Sequence, residues 1–149
     1  MIANKKVILL VEDNPDDELL TLRAMSKHNI ANDIVVAHDG AEALEYIFGS
    51  ETQPDRQRVE RPQVILLDLN LPKVGGLTVL EKIRKNPQTA LYPVVILTSS
   101  KEEMDLVESY RLGANSYIRK PVDFNQFSEA IRQLGLYWLV LNEVPYKDT

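Results

Sequence analysis

The sequence predicts an α/β fold, a doubly wound sheet of five parallel strands, and three observations support this prediction. Short apolar runs bounded by turn residues are typical of strands buried in a parallel sheet. These runs alternate with helical patterns along the chain, which indicates βαβ units. The chain has 149 residues, of which 44% are hydrophobic and 26% charged, and this suits one domain with a real core.

The pattern of the five predicted strands also suggests their order in the sheet. They are Lys6–Val11, Asp33–Ala37, Val64–Leu67, Val94–Leu97 and Ser116–Arg119. Strand 2 has a broken apolar pattern and strand 5 is short, so both fit edge positions. Right-handed crossovers then give the order 2-1-3-4-5, with strands 1 and 3 beside the switch point of the sheet.

The predicted helices begin at recognisable capping signals. They are Pro15–His28, Ala41–Phe48, Leu77–Lys85, Glu102–Leu112 and an extended C-terminal helix, Phe124–Asn142. Asn14 precedes a proline at the first helical position and acids in the first turn. Asp39–Glu42, Ser100–Glu103 and Asp123–Gln126 each have the spacing of a capping box. The polar segment Gly49–Pro62 has no periodicity and predicts a long loop.

Composition and charge exclude several classes of protein. The chain has no cysteine, which excludes disulfides and thiolate metal sites and makes a cytoplasmic location the simplest expectation. No apolar run reaches the roughly 18 residues that cross a bilayer, so we expect no membrane span. The net charge is −5, and the densest basic patch, Arg56, Arg58 and Arg61, is interrupted by acids. We therefore expect a solvated loop there rather than a nucleic-acid interface.

Polar side chains follow four of the predicted strands and should meet at one edge of the sheet. They are Glu12 and Asp13, Asp68, Thr98, and Lys120. Ligands of such sheets bind outside the carboxyl ends of the strands. Carboxylates packed there repel one another by about 4 kcal/mol per pair at 4 Å and an effective dielectric near 20. A divalent cation or a bound proton would relieve this, and oxygen ligands of this kind suit Mg²⁺.

The remaining groups of this crevice suit a phosphoryl group. A hydroxyl from Thr98 and an ammonium from Lys120 can both donate to phosphoryl oxygens. Asp68 can serve as the nucleophile, because aspartyl phosphates are established covalent intermediates. Each residue alone has an ordinary alternative: a helix cap for the acids, a strand end for Thr98, a solvated side chain for Lys120. Four such coincidences at four strand ends are improbable together.

The motifs around these residues resemble the receiver domains of two-component response regulators. VEDN, LLDLNLPKVGG, VVILTSS and YIRKP occur in the order and spacing of that family, from Val7 to about Leu134. The resemblance implies a flavodoxin-like receiver fold in a single domain over residues 1–149. Its core would span about residues 6–134 and a C-terminal helical extension residues 135–149.

The resemblance also implies a metal site and a phosphorylated residue. Asp68 resembles the phosphoacceptor aspartate and a ligand of Mg²⁺. Asp13 resembles a direct metal ligand, and Glu12, where aspartate is commoner in the family, a ligand that acts through water. Asn70 would contribute its backbone carbonyl oxygen to the metal.

A second set of residues resembles the groups that respond to phosphorylation. Thr98 resembles the hydroxyl that moves toward the phosphoryl group, and Lys120 the lysine that binds it. Tyr117 resembles the aromatic switch that swings inward when Thr98 moves. By the same resemblance, the Lys120–Pro121 peptide bond is expected to be cis.

The function that follows is that of a single-domain response regulator, which accepts a phosphoryl group from a histidine kinase. Such a protein catalyses only its own phosphorylation and slow dephosphorylation and is not an enzyme with turnover. A finer resemblance, to small regulators of phytochrome-type histidine kinases, predicts such a kinase as partner, with a phosphotransfer protein downstream. It rests on the Gly49–Pro62 insertion, the LLDLNLPK string and the tryptophan-containing tail.

Two other functions compete with this interpretation. A phosphohydrolase with an aspartyl phosphate intermediate usually carries its nucleophile after the first strand and a cap that selects the substrate. A flavodoxin-like cofactor binder would need a phosphate loop after strand 1, where Glu12 and Asp13 would repel a phosphate. Turnover of a phosphate ester and the colour of the protein discriminate these alternatives.

The C-terminal helix carries more apolar surface than one domain face needs. A heptad stripe runs along it: Phe124, Phe127, Ile131, Leu134, Trp138 and Leu141. Beyond Leu134, the segment Leu136–Leu141 is apolar on every face and needs cover on more than one side. We expect a two-fold homodimer through the fourth and fifth helices and fifth strand, with Tyr137, Trp138 and Leu141 at its interface. The alternative is that the segment folds back onto its own domain.

Overall fold

Five parallel strands form the sheet in a computed structural model that describes residues 7–30, 33–49, 61–121 and 123–145. The strands are β1 (Val7–Val11), β2 (Asp33–Ala37), β3 (Pro62–Leu67), β4 (Val94–Thr98) and β5 (Ser116–Arg119). Their order is β2-β1-β3-β4-β5, and every neighbouring pair is parallel. The predicted fold class and strand order are therefore confirmed.

Five α-helices and one short π-helix follow the strands. They are α1 (Pro15–Lys27), α2 (Gly40–Phe48), α3 (Gly76–Lys85), α4 (Glu103–Arg111), α5 (Phe124–Gly135) and the π-helix Leu136–Leu141. The side chains of Asn14, Asp39 and Asp123 accept hydrogen bonds from the first turns of α1, α2 and α5, as their spacing predicts. The capping box predicted at Ser100 is wrong. Ser100 donates its hydroxyl to Asp105 at 2.6 Å, and α4 begins later.

The core lies on both faces of the sheet because successive residues of a strand point to opposite sides. On one face, Leu9, Ile65 and Ile96 pack against α2 and α3. On the other face, Leu10 and Leu66 pack against α1 and α5. All five side chains are at most 2% exposed. Burial on both sides leaves the strand ends as the place where the sheet can present polar groups.

Arg84 links the end of α3 to the segments that precede β4 and β5. Its guanidinium donates to the backbone oxygens of Gly113 (2.8 Å), Ala90 (3.0 Å) and Tyr92 (2.7 Å), and to the side-chain oxygen of Asn115 (2.9 Å). Burial lowers the pKa of Arg84. Only a planar group with several fixed donors can reach all four oxygens at once.

Replacing Arg84 with Lys is expected to lower the free energy of unfolding by about 2 to 4 kcal/mol, since several partly buried carbonyls lose their donor while the charge is kept. Urea denaturation measures the change. Arg132→Lys is the matched control, because among the described residues the Arg132 side chain pairs with Glu129 at the surface, and its loss should be small. Equal losses in the two variants would contradict the role given to Arg84.

The C-terminal segment packs two of its side chains against its own domain, and its helical form corrects one prediction. The α-helix expected up to Asn142 ends at Gly135, and the chain continues as a π-helix, in which Asn142 N donates to Tyr137 O at 2.6 Å. The wider turn places both Trp138 and Leu139 against the core, with 9% and 5% exposure. Trp138 is thus a core residue of its own domain, and its role in a dimer interface stays a prediction.

Some predictions fall on parts of the chain that the structure does not describe. Lys6 and most of the loop predicted over Gly49–Pro62, including Arg56 and Arg58, lie outside the described residues. Within the described ranges, every helix is too short or too polar to cross a membrane.

Candidate functional site

The carboxyl ends of the strands bring the polar side chains together, as the sequence predicts. Glu12 and Asp13 follow β1, and Glu12 N donates to Ala37 O at 2.9 Å. Asp68 follows β3, and its backbone N–H donates to Val11 O at 3.1 Å. These backbone bonds continue the strand pairing past the ends of the strands, so the carboxylates are held on rigid elements.

Lys120 lies at the centre of this group. Its Nζ lies 2.5 Å from Glu12 Oε1, 3.0 Å from Asp17 Oδ2 and 3.2 Å from Asp68 Oδ2. The side chain is only 7% exposed. Burial alone would lower the pKa of Lys120, but the bond to Glu12 and the charges of Asp68 and Glu12 outweigh it and raise the pKa. An ammonium with three carboxylate partners stays charged and stays in place.

Glu12 is the most buried acid of the site. It is 1% exposed, and burial raises its pKa to about 7 despite the opposing effect of Lys120. Its second oxygen accepts a hydrogen bond from the backbone N–H of Asn14 at 3.2 Å. Both carboxylate oxygens of Glu12 are therefore engaged within the protein, whereas Asp13 is exposed.

Asp68 has a different partner on each carboxylate oxygen. Oδ1 accepts from the Thr98 hydroxyl at 2.9 Å and from the Asn70 backbone N–H at 3.2 Å. Oδ2 faces Lys120. Asp68 is 6% exposed, and these donors offset the cost of burying its charge. The same donors can also form hydrogen bonds with further negatively charged oxygens attached to this residue.

The acids also form a cluster that can hold a divalent cation. Carboxylate oxygens of Glu12, Asp13 and Asp68 lie within 4.8 Å of one another, the one such group among the described residues. Only oxygen donors are present, which fits a hard cation such as Mg²⁺ or Mn²⁺ better than a metal that prefers sulfur or imidazole. Asn70 directs its N–H toward Asp68, and the use of its carbonyl oxygen as a ligand stays a prediction.

Two glycines allow the loop after Asp68 to pack closely. A Cβ atom on Gly76 would overlap the backbone oxygen of Asp68, and one on Gly40 would overlap the backbone oxygen of Val74. Within this loop Lys73 adopts a left-handed conformation with φ of 67°. Its Nζ lies 3.5 Å from Asp39 Oδ2. The loop thus packs closely against both Asp68 and the start of α2. This packing restricts the backbone that carries Asp68.

Thr98 and Tyr117, the two predicted switch residues, differ in their surroundings. Thr98 is fully buried, and its Oγ1 also accepts from Ser100 N at 3.2 Å. The Tyr117 hydroxyl is buried without a well-formed hydrogen bond to any residue that the structure describes, and burial raises the pKa of Tyr117. Ser100 offsets part of this increase, but its own hydroxyl is bonded to Asp105. Their motion on phosphorylation stays a prediction.

The peptide bond between Lys120 and Pro121 is trans, so the expected cis bond is wrong; no peptide bond between described residues is cis. The trans form is the lower in energy for an X–Pro bond by about 0.5 to 1 kcal/mol. With the trans bond, Lys120 N donates to Thr98 O at 2.8 Å and Lys120 Nζ contacts the acids.

Asp17 is the site residue that sequence reasoning missed. Its pattern indicated only an acid in the first turn of α1, but its carboxylate contacts Lys120. A signal was present, because α1 begins directly after the acidic pair and helical side chains tilt toward the helix N-terminus. An acid in that first turn is therefore directed back toward the end of β1.

Comparison with known proteins identifies close relatives of this chain. The response regulator receiver domain family matches residues 8–132. Response regulator Rcp1 from Synechocystis sp. is 35% identical over 140 residues, which cover 94% of this chain and 93% of Rcp1. A structure titled as the Mn²⁺-bound form of Rcp1 has a TM-score of 0.84 at 34% identity, over 95% of this chain and 99% of Rcp1.

Two further solved structures cover nearly the whole chain. The phosphorylated cyanobacterial phytochrome response regulator RcpA has a TM-score of 0.86 at 35% identity and covers 96% of this chain and all of its own. The bacteriophytochrome response regulator AtBRR is 51% identical, with a TM-score of 0.73, over 95% of this chain and all of its own.

Proposed function

The chain belongs to the response regulator receiver family, and from this premise we propose that it accepts a phosphoryl group on Asp68 from a histidine kinase. The observation that carries the proposal is the buried Asp68 carboxylate, bonded to Thr98 on one oxygen and to Lys120 on the other, beside an acidic cluster. A carboxylate held between a hydroxyl and an ammonium is ready both to attack a phosphorus atom and to have its product bound.

Each residue of the site has a separate role in the phosphoryl transfer. An oxygen of Asp68 attacks the phosphorus of a phosphohistidine, so that a P–O bond forms as the P–N bond breaks and the imidazole leaves. Lys120 and Thr98 then donate hydrogen bonds to phosphoryl oxygens. A bound divalent cation offsets negative charge on the group being transferred. The chain catalyses only its own phosphorylation and slow dephosphorylation.

We propose Mg²⁺ as the cation, with Asp13 and Asp68 as direct ligands and the carbonyl oxygen of Asn70 as a third. Glu12 would act through water, since its own oxygens are engaged by Lys120 and Asn14. The exposure of Asp13 supports its role as the ligand that meets the hydrated ion, because Mg²⁺ keeps several of its waters.

Acetyl phosphate with Mg²⁺ is expected to add one phosphoryl group per chain, measured by intact mass, and a chelator is expected to prevent the addition. Absence of any labelling with Mg²⁺ present would overturn the proposed function. Sustained turnover of a generic phosphate ester would favour the phosphohydrolase instead, and a coloured protein would favour a cofactor binder.

We propose a phytochrome-type histidine kinase as the phosphodonor and a phosphotransfer protein as the downstream recipient. The support is that RcpA and AtBRR, similar over nearly the whole chain, are titled as phytochrome and bacteriophytochrome regulators. Transfer of label from a phosphorylated kinase of this type to the chain, faster than from kinases of other types, would support the assignment.

We also propose that the chain divides into a receiver core, about residues 6–134, and a C-terminal extension that forms a homodimer with a second copy. Four apolar side chains of the π-helix stay exposed after Trp138 and Leu139 are buried: Leu136, Tyr137, Val140 and Leu141. Of the predicted interface residues, Tyr137 and Leu141 are thus available, at 50% and 62% exposure.

Replacing Leu141 with Glu is expected to shift the chain from dimer to monomer in sedimentation at micromolar concentration, because a charge cannot be buried cheaply in an apolar interface. Leu19→Glu, the same change at an exposed leucine of α1, should leave the dimer intact. A wild-type chain that sediments as a monomer, phosphorylated or not, would end this proposal.

A further inference from the structure

Asp17 occupies one of the three N–H donors of Lys120. Its Oδ2 lies 3.0 Å from the ammonium, and its side chain is 33% exposed, against 2% for the side chain of Glu12 and 7% for that of Asp68. Asp17 lies in the first turn of α1, where its backbone oxygen accepts from the Thr21 hydroxyl at 2.8 Å. It therefore approaches Lys120 from a helix, whereas the other two acids approach from strand ends.

The other two contacts of Lys120 involve the same carboxylates that form the candidate cation site. Glu12 and Asp68 both belong to the cluster of oxygens within 4.8 Å of one another. An ammonium and a divalent cation would compete for these oxygens and repel each other. The cation binds well only if Lys120 has another partner that holds it to one side.

We propose that Asp17 is a positioning residue that draws the Lys120 ammonium toward α1 and so keeps the Glu12 and Asp68 carboxylates open to a divalent cation. Without Asp17, the three donors of Lys120 fall to Glu12 and Asp68 alone. The ammonium then lies deeper in the cluster and weakens cation binding. This inference rests on the proposed function for the presence of a cation site.

The neighbouring acid Asp16 offers a matched comparison. It lies in the same turn of α1 and carries the same charge, but it is exposed, and its described hydrogen bond is made by its backbone N–H to Asn14. Neutralising Asp16 removes the same charge from nearly the same place without removing a partner of Lys120. It measures the long-range electrostatic effect alone.

Binding of Mn²⁺ to the unphosphorylated chain, followed by electron paramagnetic resonance, tests the inference. Loss of a partly exposed pair suggests that Asp17→Asn should bind Mn²⁺ about fivefold more weakly than wild type. Screening should keep Asp16→Asn within about twofold. Asp17→Glu should keep most of the wild-type affinity for Mn²⁺, because it retains a carboxylate. Asp17→Ala also removes the carboxylate and should show the same loss as Asp17→Asn, so it can replace the Asn variant if that variant folds poorly.

A double-mutant cycle with Lys120→Met shows whether Asp17 acts through Lys120. In that background the effect of Asp17→Asn should fall to about that of Asp16→Asn, because no ammonium remains to be positioned. Equal losses for the two neutralised acids, or an undiminished loss without Lys120, would overturn the inference. A wild-type chain that binds no Mn²⁺ would overturn the cation site itself and, with it, this part of the proposed function.

Discussion

Replacing Asp68 with Asn is expected to reduce labelling by acetyl phosphate and Mg²⁺ to background. The amide is close in shape to the carboxylate and can still accept from Thr98, but its oxygen is a poor nucleophile and it cannot form an acyl phosphate. Intact mass measures the labelling. Asp16→Asn, which removes an exposed acid from the first turn of α1, should be labelled like wild type.

Undiminished labelling of Asp68→Asn would mean that another acid accepts the phosphoryl group. Asp13 would be the first candidate, because it is the exposed member of the acidic cluster. The structure favours Asp68 for a physical reason. Asp68 alone among the three clustered acids has both the Thr98 hydroxyl and the Lys120 ammonium as partners among the described hydrogen bonds.

The strand ends were the part of the site that the sequence could predict. Parallel strands that are buried on both faces have nearly continuous apolar sequences, so they can be recognised. The topology of the sheet then brings their carboxyl ends together. The topology alone therefore predicts that Asp68, Thr98 and Lys120 lie close together, and their side-chain conformations are not needed for this prediction. The same argument gave the strand order, because a broken pattern in β2 and a short β5 indicate edge strands.

The sequence was a poor guide to which partner a side chain contacts in another part of the fold. Ser100 has the spacing of a cap, but its hydroxyl donates to Asp105 and accepts from Glu102 N, before α4 begins. The segment after Leu134 has the spacing of a continued α-helix, but it forms a π-helix that places Leu139 in the core together with Trp138. Asp17 has the position of a helix-dipole acid, but Lys120 reaches it from β5. These are contacts between elements, and periodicity within one element does not determine them.

Replacing Lys120 with Met is expected to have the second large effect, with opposite consequences for the cation and for the phosphoryl group. Mn²⁺ binding should be kept or strengthened, because the ammonium no longer competes for Glu12 and Asp68. The response to phosphorylation should be lost, because the phosphoryl oxygens lose a charged donor. Cation binding by electron paramagnetic resonance and amide hydrogen exchange in β4 and α4, with and without acetyl phosphate, separate the two effects.

The same variant should also unfold more easily when a chelator removes divalent cations. Removing one partner of a buried ion pair costs about 3 to 5 kcal/mol. Glu12 can reduce that cost by taking a proton, since burial already raises its pKa to about 7 with Lys120 present and the loss of Lys120 raises it further. A pKa raised by folding stabilises the folded state at low pH, and this contribution is lost as the pH rises through the folded-state value.

The loss of stability in Lys120→Met should therefore be smaller at pH 6 than at pH 8, as measured by urea denaturation. Lys85→Met, which removes an exposed lysine paired with Glu81, should show a small loss that does not change over this range. A loss for Lys120→Met that is independent of pH would mean that Glu12 stays ionised without its partner. Loss of Mn²⁺ binding would show instead that Lys120 supports the carboxylates rather than competing for them, and the positioning role of Asp17 would fail with it.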